Sequence, residues 1–149
     1  MSTHKATVTW IRETDDFSLA TYNRSHEWDY GDNNKTLASA APGFAGDAER
    51  VDPEQAFTVS LSSCHMLTFL ALASQAGFTV NEYIDEAEGV LAKHPNGGMW
   101  VSEVNLKPSI VFGGGVVPSK DQINDLHHKA HEQCFIAKSI KTHVTIHAV

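Results

Sequence analysis

Residues 52–77 have the sequence DPEQAFTVSLSSCHMLTFLALASQAG, which predicts one long helix. Asp52 can cap its first turn, Pro53 fits the first helical position, and Glu54 suits the positive end of the helix dipole. Gly77 predicts the end of the helix, because glycine readily adopts the left-handed conformation that follows many helices. The stretch is apolar on nearly every side, which indicates that most sides of the helix are buried.

The segments before this helix have the patterns of strands and a loop. Residues 5–12 and 17–24 predict the two strands of a hairpin, and residues 26–30 fit a third strand. Residues 31–50 are rich in glycine, asparagine, alanine and aspartate, which predicts a loop. A loop of about twenty residues is longer than compact domains usually contain, so we expect it to have a purpose.

The segments after the helix complete the predicted order of elements. Residues 78–93 and 99–112 predict two strands joined by a Pro-Asn-Gly-Gly turn, residues 119–134 a second helix, and residues 141–149 a closing strand. The order β-β-(β)-α-β-β-α-β is typical of an α+β domain, here a single domain over residues 1–149. One chain of this size has little sheet with which to cover a helix that is apolar all round, so we expect a dimer.

Composition narrows the classes of protein. The chain has 149 residues, of which 42% are hydrophobic, enough for one packed domain. The net charge of −7 and the pI of about 5.6 argue against a nucleic-acid-binding groove. We expect no membrane-spanning stretch, because polar side chains interrupt the apolar region, and the N-terminus lacks the plan of a signal peptide. The expected location is cytoplasmic.

The chain contains two cysteines, Cys64 and Cys134, which lie seventy positions apart (64 to 134). A pair of thiols can carry out two-electron chemistry, since one thiolate can attack an O–O bond and the other can condense with the resulting sulfenic acid. A cysteine inside an apolar helix is more often a small buried side chain. Ser62, Ser63 and His65, however, make the surroundings of Cys64 unusually polar.

Three histidines, His127, His128 and His131, precede Cys134 on the second predicted helix. Helical spacing places His127 and His131 on the same face as Cys134. They could lower the pKa of the thiol, ligate zinc together with it, or line a solvated face. Zinc is less favoured, because the chain has no CxxC pair, and a solvated position is expected for His128.

Glu54 lies ten residues before Cys64, which is about 15 Å along a straight helix. A site that contains both residues therefore requires two protomers or an arginine between them. A reactive thiolate needs a nearby cation to keep it ionised and to polarise the departing oxygen. The arginines are Arg12, Arg24 and Arg50, and spacing alone does not choose among them.

Two motifs of this chain, taken together, have a family resemblance. The first is Asp52-Pro53-Glu54-Gln55-Ala56-Phe57 followed by Ser62-Ser63-Cys64-His65-Met66, and the second is Ala130-His131-Glu132-Gln133-Cys134-Phe135-Ile136. They resemble the OsmC/Ohr family of osmotically inducible and organic-hydroperoxide-resistance proteins, over most of the chain. The resemblance implies an intertwined α+β homodimer, with a long central buried helix against curved antiparallel sheets.

The resemblance also implies roles for four residues. Cys64 corresponds to the peroxidatic thiolate, Cys134 to the resolving thiol, and Glu54 to a glutamate that pairs with an arginine. Arg24 is the first candidate for that arginine, because members of the hydroperoxide-resistance type carry theirs in the second strand. Arg50 is the second candidate.

The implied function is a thiol peroxidase that reduces organic hydroperoxides and, more weakly, hydrogen peroxide. It needs no metal or organic cofactor, and a dithiol reductant such as a lipoyl-protein or a thioredoxin-like protein resets it. An apolar pocket around Phe57, Leu61 and Phe135 is expected to favour alkyl substrates. Two alternatives remain: a catalytically weak ligand-binding or stress protein of the same fold, and a metal-binding protein that uses His127, His131 and Cys134.

Overall fold

The structure is a computed structural model that describes residues 1–148. The chain divides into two compact units, of which the first is Met1–Ala56 and the second begins at Phe57. The described residues form two α-helices and three small β-sheets, which confirms the predicted α+β class.

The first unit contains one antiparallel sheet with the strand order β1-β2-β3. Its strands are β1 (Thr7–Thr9), β2 (His26–Asp29) and β3 (Lys35–Ala38). The strands β1 and β2 lie where the alternating pattern predicted strands, and both are shorter than predicted.

The prediction of a strand over residues 17–24 is wrong, because this segment forms turns. The Tyr22 N–H donates to the Ser18 carbonyl oxygen at 3.1 Å, as in a helical turn. The ring centroids of Trp10 and Phe17 are 5.8 Å apart, and those of Phe17 and Tyr22 are 5.2 Å apart. This aromatic packing, in which Trp10 of the preceding segment contacts Phe17 and Tyr22, overrides the local preference for an extended chain.

The long loop predicted over residues 31–50 is only partly correct, because it contains β3 and a short 3-10 turn, Pro42–Phe44. Gly31, Asp32 and Asn33 have positive φ values of 88°, 52° and 60°. This left-handed run reverses the chain and lays β3 against β2. The glycine and asparagine content that predicted a loop thus marks a tight turn between two strands.

The long helix α1 (Pro53–Gln75) begins and ends where the sequence predicts. Asp52 Oδ1 accepts from the Gln55 N–H at 2.8 Å, and Gln55 Oε1 accepts from the Asp52 N–H at 3.1 Å. These two hydrogen bonds form a capping box. Gly77 has a φ of +80°, as expected for a glycine just beyond the helix.

The second unit adds five strands and one helix in two sheets. β4 (Thr79–Asp85) pairs with β7 (Pro108–Gly113), and β6 (Met99–Leu106) lies between β5 (Glu88–Lys93) and β8 (His143–Ile146). All of these pairs are antiparallel except β6–β8, which is parallel. The helix α2 (Lys120–Gln133) lies before β8, and Val149, the last residue of the predicted closing strand, lies outside the described residues.

The two strands predicted over residues 78–93 and 99–112 are four strands in the structure. The Lys107 N–H donates to Asp85 Oδ1 at 2.6 Å. The Asp85 carboxylate therefore takes this donor, and Pro108, which has no N–H group, starts β7 in the other sheet. The Asp85 side chain and Pro108 thus mark the point at which the chain passes from the sheet of β6 to the sheet of β7.

Within the second unit α1 buries one side and leaves another side exposed. Leu61, Phe69 and Ala73 are fully buried, whereas Val59 and Leu67 are 61% and 60% exposed in the single chain. The expectation of burial on most sides is therefore not met within one chain. Exposed apolar residues on a helix of this kind are typical of a surface that a partner covers.

By length and composition α1 could cross a membrane, so the expectation that no stretch is apolar enough is wrong. Core helices of globular proteins meet the same criteria. The Ser62 hydroxyl donates to Asp85 of β4 at 2.5 Å, and His65 is hydrogen-bonded to His127 of α2. These polar contacts with neighbouring elements are those of a core helix.

Candidate active site

The two cysteines lie in one core cluster of the second unit. Cys134 is fully buried with Leu61, Val104 and Leu106, and Cys64 packs against this cluster. The middle of α1 positions Cys64, and Cys134 is the residue that follows the last turn of α2. Both cysteines are thiols in this structure. The fold therefore brings together two groups that are distant in the sequence.

The surroundings of Cys134 keep its thiol protonated. Burial and, second, interaction with the Cys64 side chain raise the pKa of Cys134 to about 11. The Ala137 N–H points at Cys134 Sγ from 3.4 Å and acts in the opposite direction, but more weakly. At neutral pH a base must remove this proton before the Cys134 sulfur can act as a nucleophile.

Cys64 differs from Cys134 in its access to solvent. It is only partly buried, whereas Cys134 is 0% exposed. The Thr68 hydroxyl donates to the Cys64 carbonyl oxygen at 2.9 Å within the same helix. A reagent that enters from solvent therefore reaches Cys64 first, which suits it for the first chemical step.

Arg24 lies in an aromatic cavity of the first unit. The cavity has a volume of about 360 Å³ and is lined by Trp10, Phe17, Tyr22, Arg24, His26, Ser39, Ala40 and Pro53. The Arg24 guanidinium carbon is 3.8 Å from the centroid of the Tyr22 ring, and two of its N–H groups donate to backbone carbonyl oxygens of Leu19 and Tyr22. Backbone contacts and one aromatic ring thus fix the guanidinium in place.

Glu54 also belongs to the first unit, in the first turn of α1. Arg50, the second candidate arginine, has its Nε 3.3 Å from Asp47 Oδ2. Cys64 and Cys134 belong to the second unit. The structure therefore groups Cys64 with Cys134 inside the second unit. The association of Arg24 and Glu54 with these thiols stays a prediction.

The prediction of an apolar pocket around Phe57, Leu61 and Phe135 is wrong for Leu61, because this side chain is fully buried. Phe57 packs partly against the Cys134 cluster. Phe135 is 80% exposed and lines a separate surface cavity of about 480 Å³ together with Leu67. The helical pattern could not distinguish a core leucine from a pocket-lining one.

The structure gives the metal alternative no support in the part of the chain that it describes. Among residues 1–148 no group of three or more histidine, cysteine, aspartate or glutamate side chains could hold a metal ion. His127 instead contacts His65, and its Nδ1 lies 3.0 Å from His65 Nε2. The third histidine, His128, is 74% exposed and 3.5 Å from Glu132, which fits its predicted solvated position.

The buried pair of His65 and His127 was missed by the sequence interpretation. The side chains are 1% and 3% exposed, and their rings are parallel to within 4°. A signal was present, because position 127 falls on the helix face that also carries the buried Leu126 and Ala130. The sequence interpretation placed His127 on the face of Cys134 and left three roles open for it, but a buried contact with His65 was not among them.

Comparisons of this chain with protein families and with solved structures agree on one family. The family described as OsmC-like protein matches residues 46–148 of this chain. An OsmC-like protein of unknown function from Vibrio cholerae O1 biovar eltor str. N16961 is 42% identical, covers 100% of both chains and has a TM-score of 0.96. No curated protein matches the chain at a significant level.

More distant structures share the fold. An organic hydroperoxide resistance protein OsmC from Legionella pneumophila is 18% identical, with coverage of 99% of this chain and 96% of the other and a TM-score of 0.73. The organic hydroperoxide resistance protein OhrB of Bacillus subtilis is 18% identical, with coverage of 99% and 98% and a TM-score of 0.73. Given the family match and the 42% identical relative, the chain belongs to the OsmC-like protein family.

Proposed function

We propose that this protein is a thiol peroxidase that reduces organic hydroperoxides and, more weakly, hydrogen peroxide, through Cys64 and Cys134. The observation that carries the proposal is the packing of a partly exposed thiol, Cys64, against the cluster of a fully buried thiol, Cys134. Membership of the OsmC-like family supports a role of this kind, since two proteins of the same fold are named organic hydroperoxide resistance proteins.

In the first step the Cys64 thiolate attacks the terminal oxygen of the hydroperoxide. The S–O bond forms, the O–O bond breaks, and the departing alkoxide takes a proton and leaves as an alcohol. Arg24, held by Glu54, stabilises the thiolate and the departing oxygen in this proposal. The ten residues between Glu54 and Cys64 span about 15 Å of helix, so Glu54 acts through the arginine or from the partner protomer.

In the second step Cys134 attacks the sulfur of the Cys64 sulfenic acid. A disulfide forms and water leaves, and a dithiol reductant then returns both cysteines to thiols by exchange. Lipoyl-proteins and thioredoxin-like proteins supply such dithiols, and a cytoplasmic setting would keep the pair reduced between turnovers.

The proposed preference for organic hydroperoxides requires an apolar surface for the organic part of the substrate, and the first unit contains an aromatic cavity around Arg24. Its volume of about 360 Å³ is ample for an alkyl or aryl group, and its walls include the rings of Trp10, Phe17 and Tyr22. Hydrogen peroxide has no apolar part to bury, so it would gain nothing from these rings.

The active form in this proposal is a homodimer. Val59 and Leu67 on α1 are 61% and 60% exposed, and Phe135 beyond α2 is 80% exposed. Covering such side chains with a second copy would remove apolar surface from water, at roughly 25 cal/mol per Å².

A comparison of two single variants tests the proposal. Reduced wild-type protein, Cys64→Ser and Cys134→Ser each receive one equivalent of cumene hydroperoxide, and the products are identified by mass spectrometry with dimedone as a sulfenic-acid trap. We expect a disulfide in the wild type, a trapped sulfenic acid in Cys134→Ser, and no oxidation in Cys64→Ser. Oxidation of Cys64→Ser at the wild-type rate would contradict the assigned roles.

The arginine assignment has a matched control in the chain. Arg24→Gln is expected to lower kcat/KM for cumene hydroperoxide by about a hundredfold, because one group that stabilises charge in the transition state is removed. Arg50→Gln removes the same charge from a residue that pairs with Asp47, and should leave kcat/KM within about twofold. The reverse ranking would exchange the two assignments.

A further inference from the structure

The aromatic cavity of the first unit joins three rings to one positive charge. The ring centroids of Trp10 and Phe17 are 5.8 Å apart, those of Phe17 and Tyr22 5.2 Å, and those of Trp10 and Tyr22 6.3 Å. Trp10 and Phe17 are 40% and 68% exposed, so the cavity presents ring surface to solvent. A ligand with an apolar body gains free energy by covering such a surface.

Hydrogen bonds hold the aromatic wall in place. The Trp10 indole N–H donates to the Asn23 carbonyl oxygen at 2.7 Å. The Asn23 side chain donates to the Ile11 carbonyl oxygen at 2.9 Å and accepts from the Glu13 N–H at 2.9 Å. Because these contacts tie residues 10–13 to Asn23, the cavity exists before any ligand arrives, which lowers the entropic cost of binding.

The charge in this cavity belongs to Arg24, and neutral groups surround it. The half-buried guanidinium donates to the backbone carbonyl oxygens of Leu19 and Tyr22 and lies over the Tyr22 ring. Among the described residues that line the cavity, none carries an acidic side chain. A cation that is partly removed from water and has neutral neighbours is stabilised by an anion beside it.

The cavity wall has hydrogen-bond donors for such an anion. The Arg24 guanidinium has more N–H groups than the two that the carbonyl oxygens use, in a planar fork that matches a carboxylate. Ser39 is 1% exposed, and its Oγ accepts from the Asp47 N–H at 3.1 Å, which leaves the hydroxyl proton to donate. His26 supports Arg24, because its Nδ1 donates to the Arg24 carbonyl oxygen at 2.8 Å.

We propose that this cavity binds a small aromatic monocarboxylate, with its carboxylate on Arg24 and Ser39 and its ring against the three aromatic side chains. A monocarboxylate supplies the one negative charge that one arginine neutralises, whereas a phosphate dianion would keep an unpaired charge in an aromatic site. The cavity volume of about 360 Å³ is ample for one ring and a carboxylate. Every group of this site lies in the first unit, so binding itself does not depend on the thiol chemistry.

Binding of this ligand would inhibit the proposed peroxidase, a consequence that rests on the proposed function. A carboxylate on the guanidinium takes the donors that would stabilise the Cys64 thiolate and the departing oxygen. Glu54 is the proposed holder of Arg24, so the ligand also competes with the Glu54 carboxylate. The ligand is therefore expected to raise KM for the hydroperoxide and to leave kcat unchanged.

The test is a calorimetric titration of the Cys64→Ser protein, in which binding is separated from turnover. The probe is phenylacetate, and phenylacetamide is the matched neutral compound of nearly the same shape. Arg24→Gln, on the same background, removes the charge of the site. The control is Arg50→Gln, which removes a charge that pairs with Asp47 elsewhere in the first unit.

We expect phenylacetate to bind with a dissociation constant of about 1 mM or below. Phenylacetamide should bind at least about tenfold more weakly, and this comparison needs no variant, because only the ligand loses its charge. Arg24→Gln should weaken phenylacetate binding by about tenfold to a hundredfold and leave phenylacetamide binding unchanged. Arg50→Gln should stay within about twofold of its parent. Ser39→Ala should weaken binding by about threefold to tenfold, since one hydrogen bond is lost.

Three results would overturn the site. The first is the absence of saturable phenylacetate binding up to about 10 mM, and the second is equal binding of the acid and the amide. The third is binding that appears only when Glu54→Gln is introduced, because the cavity would then already hold a carboxylate of the protein. Equal weakening in Arg24→Gln and Arg50→Gln would reveal a general attraction by charge and would also contradict the site.

The inhibition experiment separates this proposal from the peroxidase function. Phenylacetate that binds to Cys64→Ser but does not inhibit wild-type reduction of cumene hydroperoxide would support the site and contradict the catalytic role of Arg24. Wild-type protein that does not reduce cumene hydroperoxide would contradict the peroxidase function alone. In that case the calorimetric comparison of phenylacetate with phenylacetamide still decides whether the cavity is a carboxylate site.

Discussion

Cys64 and His65 are neighbours on α1, yet they belong to two different polar sites of the same core. Cys64 is partly exposed and packs against the apolar cluster that contains Cys134. His65 is 1% exposed and is fixed by a hydrogen bond to His127. A group that meets a substrate keeps access to solvent, whereas a buried polar group needs a hydrogen-bond partner. Four experiments test how differently the two sites are built.

The largest effects are expected from the apolar side chains that support each site. Phe69→Ala removes the ring that packs on His127 and should lower the free energy of unfolding by about 3–5 kcal/mol. Leu61→Ala removes a fully buried neighbour of Cys134 and should lower it by about 2–5 kcal/mol. Urea denaturation measures both values, and a loss below about 1 kcal/mol in either variant would show that its site is not supported as described.

The histidine site should make the protein sensitive to acid. Burial lowers the pKa of His65 and His127 to about 4, from 6.5 in the unfolded chain. Between these values the unfolded state binds more protons, so stability is full above pH 6.5 and falls as the pH drops toward 4. From pH 7 to pH 5 we expect a loss of about 2 kcal/mol for each histidine, and less than the sum for the coupled pair.

Urea denaturation at pH 7, 6 and 5 checks this dependence. The double variant His65→Leu with His127→Leu replaces both partners and should flatten the profile over this range. A wild-type profile that is already flat would mean that the pair is not buried in the neutral form.

The thiol site should respond at the opposite end of the pH scale. The pKa of Cys134 is raised to about 11 in the folded state, from 9.0 in the unfolded chain. The folded state therefore holds a proton that the unfolded state loses, so stability is full below pH 9 and falls as the pH rises toward 11. We expect this thiol to contribute about 2 kcal/mol to the loss, measured by urea denaturation in reducing buffer at pH 8.5 and 10.5.

Cys134→Ala is the matched reference for the alkaline experiment, because every other titrating group remains. The difference between the wild type and this variant should shrink with rising pH. A constant difference would indicate that Cys134 is not held in a desolvated site.

The smallest effect on unfolding is expected at an exposed position of α1. Leu67 is 60% exposed in the single chain, so Leu67→Ala should change the unfolding free energy of dilute protein by less than about 0.5 kcal/mol. If a second copy covers this side of α1, as proposed, the variant should associate more weakly. Sedimentation velocity over a range of concentrations measures this, and monomeric wild-type protein at every concentration would contradict the homodimer.

The predictable parts of the fold are those with local causes. The capping box of Asp52 and Gln55 and the left-handed Gly77 bound α1 through contacts within a few residues, so the sequence pattern located both ends. Residues 17–24 were misassigned because their turns are held against Trp10, which a local pattern does not reveal. The division into four strands depends on the contact between Lys107 and Asp85, which are far apart in the chain.

The candidate site also has a part that could be predicted from the sequence and a part that could not. Cys64 and Cys134 were candidates because they are the two cysteines of the chain, but their meeting was implied only by the family resemblance. Packing between α1 and the end of α2 brings them together, and spacing alone does not determine such packing. Helical spacing placed His127 on the same face as Cys134, but it left three roles open and did not identify His65 as the partner of His127.

If Cys64 and Cys134 form a redox pair, a hydroperoxide must consume both thiols, and a count of thiols shows whether it does. Reduced wild-type protein should show two reactive thiols per denatured chain before treatment and none after one equivalent of cumene hydroperoxide. Peptide mapping should then find a Cys64–Cys134 disulfide within one chain. Two thiols that survive the hydroperoxide, or a disulfide that joins two chains only, would contradict the account.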